Sequence, residues 1–168
     1  MAQKIIRIMF VCHGNICRSP MAEFVFRDMV RRGGLSDRVA VASSATSTEE
    51  IWRGIGNPVY PPAKEELARH GLTCEGKRAT QLTKQDYDKY DLLIGMDAAN
   101  IRNMHRMLGG DPQNKIYKLM SFTPQGDRDV ADPWYTGRFD VTYRDVEVGC
   151  RGLLESKLLG ELLKGTQA

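Results

Sequence analysis

Cysteine is scarce in this sequence, with four residues in a chain of 168. Small secreted domains that rely on disulfide bonds use cysteine far more densely, so four residues do not make a disulfide framework. The separation of Cys12 from Cys17 also differs from the C-x-x-C spacing of thioredoxin-like and zinc sites. The sequence therefore predicts neither a disulfide scaffold nor a metal site.

An excess of charge of one sign and long apolar runs are also missing. The 24 basic and 21 acidic residues leave a net charge of +3, which is too balanced to indicate binding to nucleic acid. The apolar stretch near the N-terminus is shorter than a transmembrane span and lacks the small-residue cleavage site of a signal peptide. We therefore expect a cytoplasmic protein, without membrane or nucleic-acid partners, that folds as one domain over residues 1–168.

Segments with strand-like and helix-like patterns alternate along the chain. The predicted strands are Ile5–Val11, Val39–Ser43, Asp91–Met96 and Lys115–Leu119. The predicted helices are Met21–Arg32, Pro62–His70, Ala98–Leu108 and Tyr143–Leu163. This alternation is typical of an α/β fold with an open parallel sheet, in which ligands bind beyond the carboxyl ends of the strands.

The segment Cys12–Pro20 reads C-H-G-N-I-C-R-S-P and joins the first predicted strand to the first predicted helix. It contains a nucleophile, Cys12, and a permanent cation, Arg18, with five residues between them. In a strand–loop–helix unit, the backbone N–H groups and the helix N-terminus converge on one point and attract a phosphate dianion. The spacing lets the arginine bind two phosphate oxygens above the sulfur, and the positive surroundings favour thiolate over thiol.

The other residues of this segment suit a curled loop that leads into a helix. Gly14 permits a positive φ, and Asn15 tolerates the left-handed region. Ser19 lies where a helix N-cap is expected, and Pro20 suits the first helical position. An ordinary turn and capped helix would account for Gly14, Ser19 and Pro20 but not for the pairing of Cys12 with Arg18. The predicted phosphate-binding residues are Cys12, His13, Gly14, Asn15, Ile16, Cys17 and Arg18.

A later loop contains the sequence D-P-W-Y at Asp132–Tyr135. Cleavage of a phosphate ester by a thiolate requires an acid that protonates the departing oxygen. Asp132 is the candidate for this acid, because Pro133 restricts it to extended geometry. Trp134 and Tyr135 are the candidate walls of a slot for a flat substrate group. The alternative is a common Asp-Pro turn with aromatic side chains that pack on the protein.

These motifs resemble those of the low-molecular-weight protein tyrosine phosphatases over nearly the whole chain. The matching segments are Val11–Glu23, Ser43–Ser47, Gly56–Ala63, Met96–Asn100 and Asp132–Tyr135. The resemblance implies a flavodoxin-like open sheet of four parallel strands in the order 2-1-3-4, with helices on both faces. It also implies that the protein uses no cofactor.

The resemblance further implies a two-step hydrolysis of phosphotyrosine in a protein, or of an aryl phosphate, with inorganic phosphate as the product. Cys12 is then the nucleophile that forms a phosphocysteine intermediate, and Arg18 holds the phosphoryl group. Asp132 acts first as the general acid and then as the base.

Three further residues are implied to brace the loop. Asn15 holds the shape of the loop, Ser43 supports Asn15, and Ser19 hydrogen-bonds the thiolate as it leaves. Many relatives carry a histidine linked to this network at a position where the present chain has Lys77.

The chain also carries an extra segment, Trp52–Ile55, in the loop that lines the pocket in relatives. The position that aligns with an aromatic wall in relatives is Glu49, which cannot supply a ring. We therefore predict that Trp52 packs at the pocket mouth with Trp134 and Tyr135. The alternative is a tryptophan that folds back onto the core or lies on the surface.

Cys17 lies five residues after Cys12 on the same loop, so the two sulfurs can approach within disulfide range if the loop relaxes modestly. A sulfenic acid formed on the nucleophile by peroxide would condense with a neighbouring thiol. Cys17 is therefore predicted to protect the nucleophile from irreversible oxidation. The alternative is a small buried residue under the loop.

Three other functions compete with phosphotyrosine hydrolysis. An arsenate reductase would need a further cysteine pair, but only Cys74 lies in the corresponding region. A protein-arginine phosphatase would typically carry threonine in place of Ile16 and would lack the paired aromatic residues. A module that only binds phosphorylated ligands would need neither Cys12 nor Asp132. The residues favour phosphotyrosine hydrolysis over all three.

Overall fold

The computed structural model describes residues 4–165 of the chain. Its strands are β1 (Ile6–Cys12), β2 (Val39–Ala45), β3 (Ile51–Trp52), β4 (Ile55–Gly56), β5 (Leu92–Gly95) and β6 (Ile116–Lys118). Four of them form a parallel sheet in the order β2-β1-β5-β6, which is 2-1-3-4 when only these strands are counted. The predicted open parallel sheet is therefore confirmed. Strands β3 and β4 form a separate antiparallel hairpin.

Helices cover both faces of the four-stranded sheet. They are α1 (Arg18–Arg32), α2 (Pro61–Arg69), α3 (Asp86–Lys89), α4 (Ala98–Leu108), α5 (Pro133–Thr136), α6 (Phe139–Leu154) and α7 (Lys157–Gly165). Helices α1 and α6 pack against each other on one face, and α4 packs against β5 and β6 on the other. Within residues 4–165, no helix combines the length and the apolar character needed to cross a bilayer.

The central strand β1 is buried from both sides. Ile8 and Phe10 lie in the larger core with α1 and α6, and Met9 and Val11 lie in the smaller core beneath α4. Because successive side chains of a strand point to opposite faces, a strand covered on both faces is apolar at nearly every position. Burial of each large apolar side chain contributes about 1.5–3 kcal/mol. This packing fixes the end of β1, where Cys12 lies.

The sequence predicts one long helix over Tyr143–Leu163, and this prediction is wrong. Helix α6 ends at Leu154, and α7 begins at Lys157. Ser156 interrupts the helix, because its hydroxyl accepts a hydrogen bond from the Leu159 N–H at 3.1 Å and caps α7. The other three predicted helices are present, with bounds that differ by no more than three residues.

Candidate active site

The loop between β1 and α1 curls around the sulfur of Cys12. The backbone N–H of Asn15 donates to the sulfur at 3.3 Å, and the hydroxyl of Ser19 lies 3.0 Å from it. Asn15 adopts the left-handed conformation with a φ of 59°, which asparagine tolerates better than most residues. The left-handed conformation considered for Asn15 is therefore present, whereas Gly14 does not have a positive φ.

Helix α1 begins earlier than the sequence suggests. Its first residue is Arg18, directly after Cys17, so the prediction that Ser19 is the N-cap is wrong. Ser19 lies in the first helical turn, and its hydroxyl faces the sulfur of Cys12. Pro20 occupies the third helical position rather than the first. The N-terminus of α1, which carries a partial positive charge, therefore lies at the last residue of the predicted phosphate-binding loop, Arg18.

Asn15 ties the loop to its surroundings. Its side-chain amide donates to the Ser19 hydroxyl at 2.7 Å and to the Ser43 hydroxyl at 2.9 Å. Its side-chain oxygen accepts a hydrogen bond from the Thr80 N–H at 3.0 Å. Asn15, Ser19 and Ser43 are all buried. The structure therefore brings together the three residues that the sequence associates with loop bracing.

Arg18 is buried and tightly held. Its guanidinium donates to the Asp97 carboxylate at 2.7 Å and to the Val130 carbonyl at 3.1 Å. Another nitrogen of the same group lies 3.6 Å from Asp132 Oδ2. Burial lowers the pKa of Arg18, but the negative charges of Cys12 and Asp97 outweigh this effect and raise the pKa above its ordinary value. Arg18 is therefore a permanent cation at the site.

Asp97 is a site residue that sequence reasoning missed, because an aspartate directly before a helix ordinarily serves only as its N-cap. One carboxylate oxygen does cap that helix, accepting from the Asn100 N–H at 2.7 Å, while the other accepts from Arg18. Burial raises the pKa of Asp97, but these hydrogen bonds outweigh burial and lower it overall. The signal for this second role was its place two residues after β5, at the carboxyl edge of the sheet.

One cavity, of about 250 Å³, is lined by the predicted phosphate-binding residues, by the acid candidate and by two of the three predicted wall residues. Its lining residues are Cys12, His13, Gly14, Asn15, Ile16, Cys17, Arg18, Glu49, Glu50, Asp132, Trp134 and Tyr135. The nucleophile candidate, the cation and the acid candidate therefore share a single space at the carboxyl end of the central strand. His13 Nε2 lies 3.0 Å from Glu49 Oε2 at the rim.

Asp132 enters this cavity from the loop before α5. Its backbone is extended, with φ of −82° and ψ of 113°, as expected for a residue before Pro133. One side-chain oxygen accepts a hydrogen bond from the Trp134 N–H at 3.0 Å and caps α5. The other oxygen, Oδ2, lies 3.6 Å from a guanidinium nitrogen of Arg18. The carboxyl group is thus held by one oxygen while the other faces the cavity.

Trp134 and Tyr135 form an exposed edge of the cavity. The indole of Trp134 is supported from behind by Tyr60, with ring centroids 5.4 Å apart. Exposed fractions of 61% for Trp134 and 85% for Tyr135 leave both rings free to contact a bound group.

Trp52 does not line the cavity, and its predicted packing against the other two aromatic rings is wrong. The β3–β4 hairpin turns at Arg53 and Gly54, which both have positive φ, and it pairs Trp52 with Ile55 on an outward face. The indole is 73% exposed and lies 5.5 Å from the Arg53 guanidinium. The tight turn of the extra segment therefore directs its tryptophan to the surface.

Cys12 and Cys17 are both buried, free thiols. Burial raises the pKa of Cys17 to about 12, and the negative charges of Cys12 and Asp132 add to this effect. Cys17 therefore remains protonated at neutral pH. Among residues 4–165, no group of three or more His, Cys, Asp or Glu side chains is arranged to hold a metal ion.

Comparison with known proteins identifies the family of this chain. The family model of the low molecular weight phosphotyrosine protein phosphatases matches residues 7–164. The chain belongs to this family. The phosphatase is 39% identical over 153 residues to the low molecular weight protein-tyrosine-phosphatase YfkJ of Bacillus subtilis, a match that covers 90% of this chain and 96% of the relative.

A second relative by sequence and a solved structure also belong to the protein-tyrosine phosphatases. The low molecular weight phosphotyrosine protein phosphatase of Sus scrofa is 37% identical over 161 residues, covering 92% of this phosphatase and 98% of the relative. The crystal structure of YfkJ from Bacillus subtilis superposes with a TM-score of 0.87 at 37% identity, covering 94% of this chain and 98% of that chain. The phosphatase is thus similar to protein-tyrosine phosphatases in sequence and has the same fold.

Proposed function

We propose that this phosphatase hydrolyses phosphotyrosine and other aryl phosphate monoesters through a phosphocysteine intermediate. The observation that carries the proposal is the meeting of three groups in one cavity: the Cys12 thiol, the Arg18 guanidinium and the Asp132 carboxyl. A nucleophile, a phosphate-binding cation and a proton donor are what such a reaction requires.

In the first step, the Cys12 thiolate attacks phosphorus in line with the departing phenolic oxygen. A sulfur–phosphorus bond forms as the phosphorus–oxygen bond breaks. Arg18 and the backbone N–H groups of the loop neutralise the equatorial phosphate oxygens. Asp132 gives its proton to the departing oxygen, so that phenol rather than phenolate leaves.

In the second step, the Asp132 carboxylate accepts a proton from a water molecule whose oxygen attacks phosphorus. The sulfur–phosphorus bond breaks, and inorganic phosphate is released. The negative charge returns to sulfur, where the Ser19 hydroxyl, 3.0 Å away, stabilises it by a hydrogen bond. Asn15 holds that hydroxyl in place by a hydrogen bond and is itself held by a hydrogen bond to Ser43.

The cavity favours phosphate esters of aromatic alcohols. Cys12 is only 4% exposed, so its sulfur lies at the floor of the loop, and a phosphate must be carried down to it. The rigid ring of phosphotyrosine has the necessary length and can lie against Trp134 and Tyr135. The short side chain of phosphoserine would leave its phosphate above the loop.

The competing activities find less support in the cavity. Cys74, which an arsenate reductase would need as a resolving thiol, lines a different groove together with Lys64 and Glu75. Ile16, where a protein-arginine phosphatase would typically carry threonine, lies among the loop residues that line the cavity. A module that only binds phosphorylated ligands would need neither the Cys12 thiol nor the Asp132 carboxyl, and both line this cavity.

A parallel assay tests the proposed substrate class. The purified protein is given para-nitrophenyl phosphate, a phosphotyrosine peptide, a phosphoarginine peptide and arsenate with a thiol reductant, and product formation is measured. We expect turnover of the first two compounds, because each has a phenol as its leaving group and an aromatic ring that can lie against the rings at the edge of the cavity. A higher kcat/KM for phosphoarginine, or reduction of arsenate, would contradict the proposal.

We further expect Cys17 to protect the nucleophile against peroxide. Peroxide oxidises the Cys12 thiolate to a sulfenic acid, which condenses with the Cys17 thiol to form a disulfide and water. Dithiothreitol then reduces that disulfide. Wild-type enzyme inactivated by peroxide should therefore recover with dithiothreitol, whereas Cys17→Ser should be inactivated without recovery.

Cys74→Ser is the matched control for this experiment, because Cys74 lies in a separate groove. It should recover as the wild type does. Equal recovery of Cys17→Ser and wild type would show that Cys17 serves only in packing. Mass spectrometry of the oxidised wild type should detect a Cys12–Cys17 disulfide.

A further inference from the structure

The hydrogen-bond network behind the Cys12 loop extends beyond Ser43. The Ser43 hydroxyl donates to Glu23 Oε1 at 2.6 Å. The ammonium group of Lys77 donates to the Ser43 carbonyl at 3.0 Å and lies 3.6 Å from the same oxygen of Glu23. The Glu23 and Lys77 side chains are 7% and 12% exposed. A nearly buried pair of opposite charges therefore adjoins the residues that brace the loop.

The donor and the acceptor of each hydrogen bond in this network can be assigned from the groups involved. The Thr80 N–H donates to the side-chain oxygen of Asn15, which fixes the orientation of the amide. The two amide protons then go to the Ser19 and Ser43 hydroxyl oxygens. Each serine therefore accepts from Asn15 and has its own proton left to donate.

The two serine protons have different destinations. Ser43 donates to Glu23, because a carboxylate can only accept. Ser19 donates to the Cys12 sulfur at 3.0 Å, since its other acceptor, the Ser44 carbonyl, is at 3.5 Å. A chain of hydrogen bonds therefore runs from the Glu23 carboxylate through Ser43, Asn15 and Ser19 to the Cys12 sulfur. The negative charge of Glu23 fixes the orientation of the Ser43 hydroxyl at one end, and the Ser19 hydroxyl stabilises the thiolate at the other.

Lys77 contributes to this arrangement by contact and by charge. Burial lowers the pKa of Lys77, while the negative charges of Glu23 and Cys12 partly offset burial. Arg27 also contacts Glu23, but its side chain is half exposed and binds the Val41 carbonyl as well. Lys77 alone of these two cations also holds the backbone of Ser43.

We propose that Lys77 is a positioning residue for the Cys12 loop. Its ammonium group holds Ser43 and Glu23 in the arrangement that directs the Ser19 hydroxyl at sulfur, and its positive charge stabilises the thiolate through the protein. The proposal rests on the role of Cys12 as nucleophile. Since Lys77 lies outside the substrate cavity, it acts on the ionisation of the sulfur and not on substrate contacts.

Several other charged and titratable groups lie around Lys77 and also affect the pH dependence of the site. Glu23 and Arg27 face it from α1, and Cys12 faces it from the end of β1. Its neighbours along the groove on the surface side are Lys64, Glu65, Glu75 and Arg78. Of the latter, Lys64 pairs with Glu75 at 3.2 Å.

The test is the pH dependence of Cys12 alkylation by iodoacetamide in Lys77→Met. Methionine keeps an unbranched apolar side chain but removes the charge and the donor. We expect the midpoint of the alkylation profile to rise by about 0.5–1 pH unit, the size of a single charge interaction near a protein surface. The acidic limb of kcat/KM for para-nitrophenyl phosphate should move by the same amount, with KM nearly unchanged.

Lys64→Met is the matched control, because Lys64 lies on the same groove but pairs with the exposed carboxylate of Glu75. It should leave both profiles unchanged. Lys77→Arg restores the cation and should return the midpoint toward the wild-type value. Lys77→Gln, which keeps a donor for the Ser43 carbonyl, should show the same rise as methionine and replaces it if the methionine variant does not fold.

A folded Lys77→Met or Lys77→Gln variant with the wild-type alkylation midpoint would overturn the proposal. So would a loss of thermal stability with no shift in either profile, which would mark Lys77 as purely structural. Failure of the proposed function has a different signature. In that case alkylation of Cys12 in the wild type would leave turnover intact, whatever residue occupied position 77.

Discussion

Cys12→Ser should abolish turnover of aryl phosphates while vanadate and phosphate still bind. A serine hydroxyl is far less ionised than a thiol at neutral pH, so the variant lacks an anionic nucleophile. Arg18 and the loop N–H groups remain and continue to hold an oxyanion. We expect kcat for para-nitrophenyl phosphate to fall about 10⁴-fold or more, as when a covalent nucleophile is removed from other hydrolases. Calorimetric titration with vanadate measures the remaining affinity.

The control for this variant is Cys74→Ser, the same exchange outside the cavity, which should keep wild-type kcat and KM. Retained turnover in Cys12→Ser would remove Cys12 from the reaction. Loss of both turnover and vanadate binding would show instead that the loop had lost its shape, and circular dichroism would then report whether the fold had changed.

Asp132→Asn should lower kcat on phenyl phosphate and phosphotyrosine by about 10²–10⁴-fold, the usual effect of losing a general acid. Asparagine keeps an oxygen that can accept from the Trp134 N–H, a hydrogen bond of 3.0 Å, so the cap of α5 is retained. It cannot protonate the departing phenolate. The loss should be much smaller with 2,4-dinitrophenyl phosphate, whose leaving group departs without a proton.

Asp127→Asn serves as the matched control in the same loop. The Asp127 side chain is 92% exposed and pairs with Lys118 at 3.0 Å, away from the cavity lining. It should leave kcat unchanged for every leaving group. An equal loss on all substrates in Asp132→Asn would contradict the role of Asp132 as acid and indicate weaker binding or folding.

Long elements with local signals were predictable from the sequence. Helix α4 has the predicted bounds, Ala98–Leu108, because Asp97 supplies a side-chain cap at one end and Gly109 adopts a φ of 80° at the other. Both signals lie within one turn of the helix and act on the local backbone. The central strand was predictable for a related reason, since burial on both faces leaves an apolar residue at nearly every position.

Short elements were not predictable in the same way. The β3–β4 hairpin has two residues in each strand, too few for a periodic pattern. Its turn at Arg53 and Gly54 decides that Trp52 faces outward. An aromatic residue in a pocket-lining loop carries no local mark of the direction in which its side chain points. The prediction for Trp52 failed for this reason.

The sequence by itself determined the chemistry of the loop, because Cys12 and Arg18 lie in one segment whose backbone has only to curl. The tertiary structure decided which distant groups meet that loop. Asp97 reaches Arg18 across 79 residues of sequence, and Lys77 reaches Ser43 across 34. Such contacts depend on the order of the strands and on the packing of helices at the carboxyl edge of the sheet. No local pattern encodes them, because the same residue types cap helices and form surface ion pairs elsewhere in the chain.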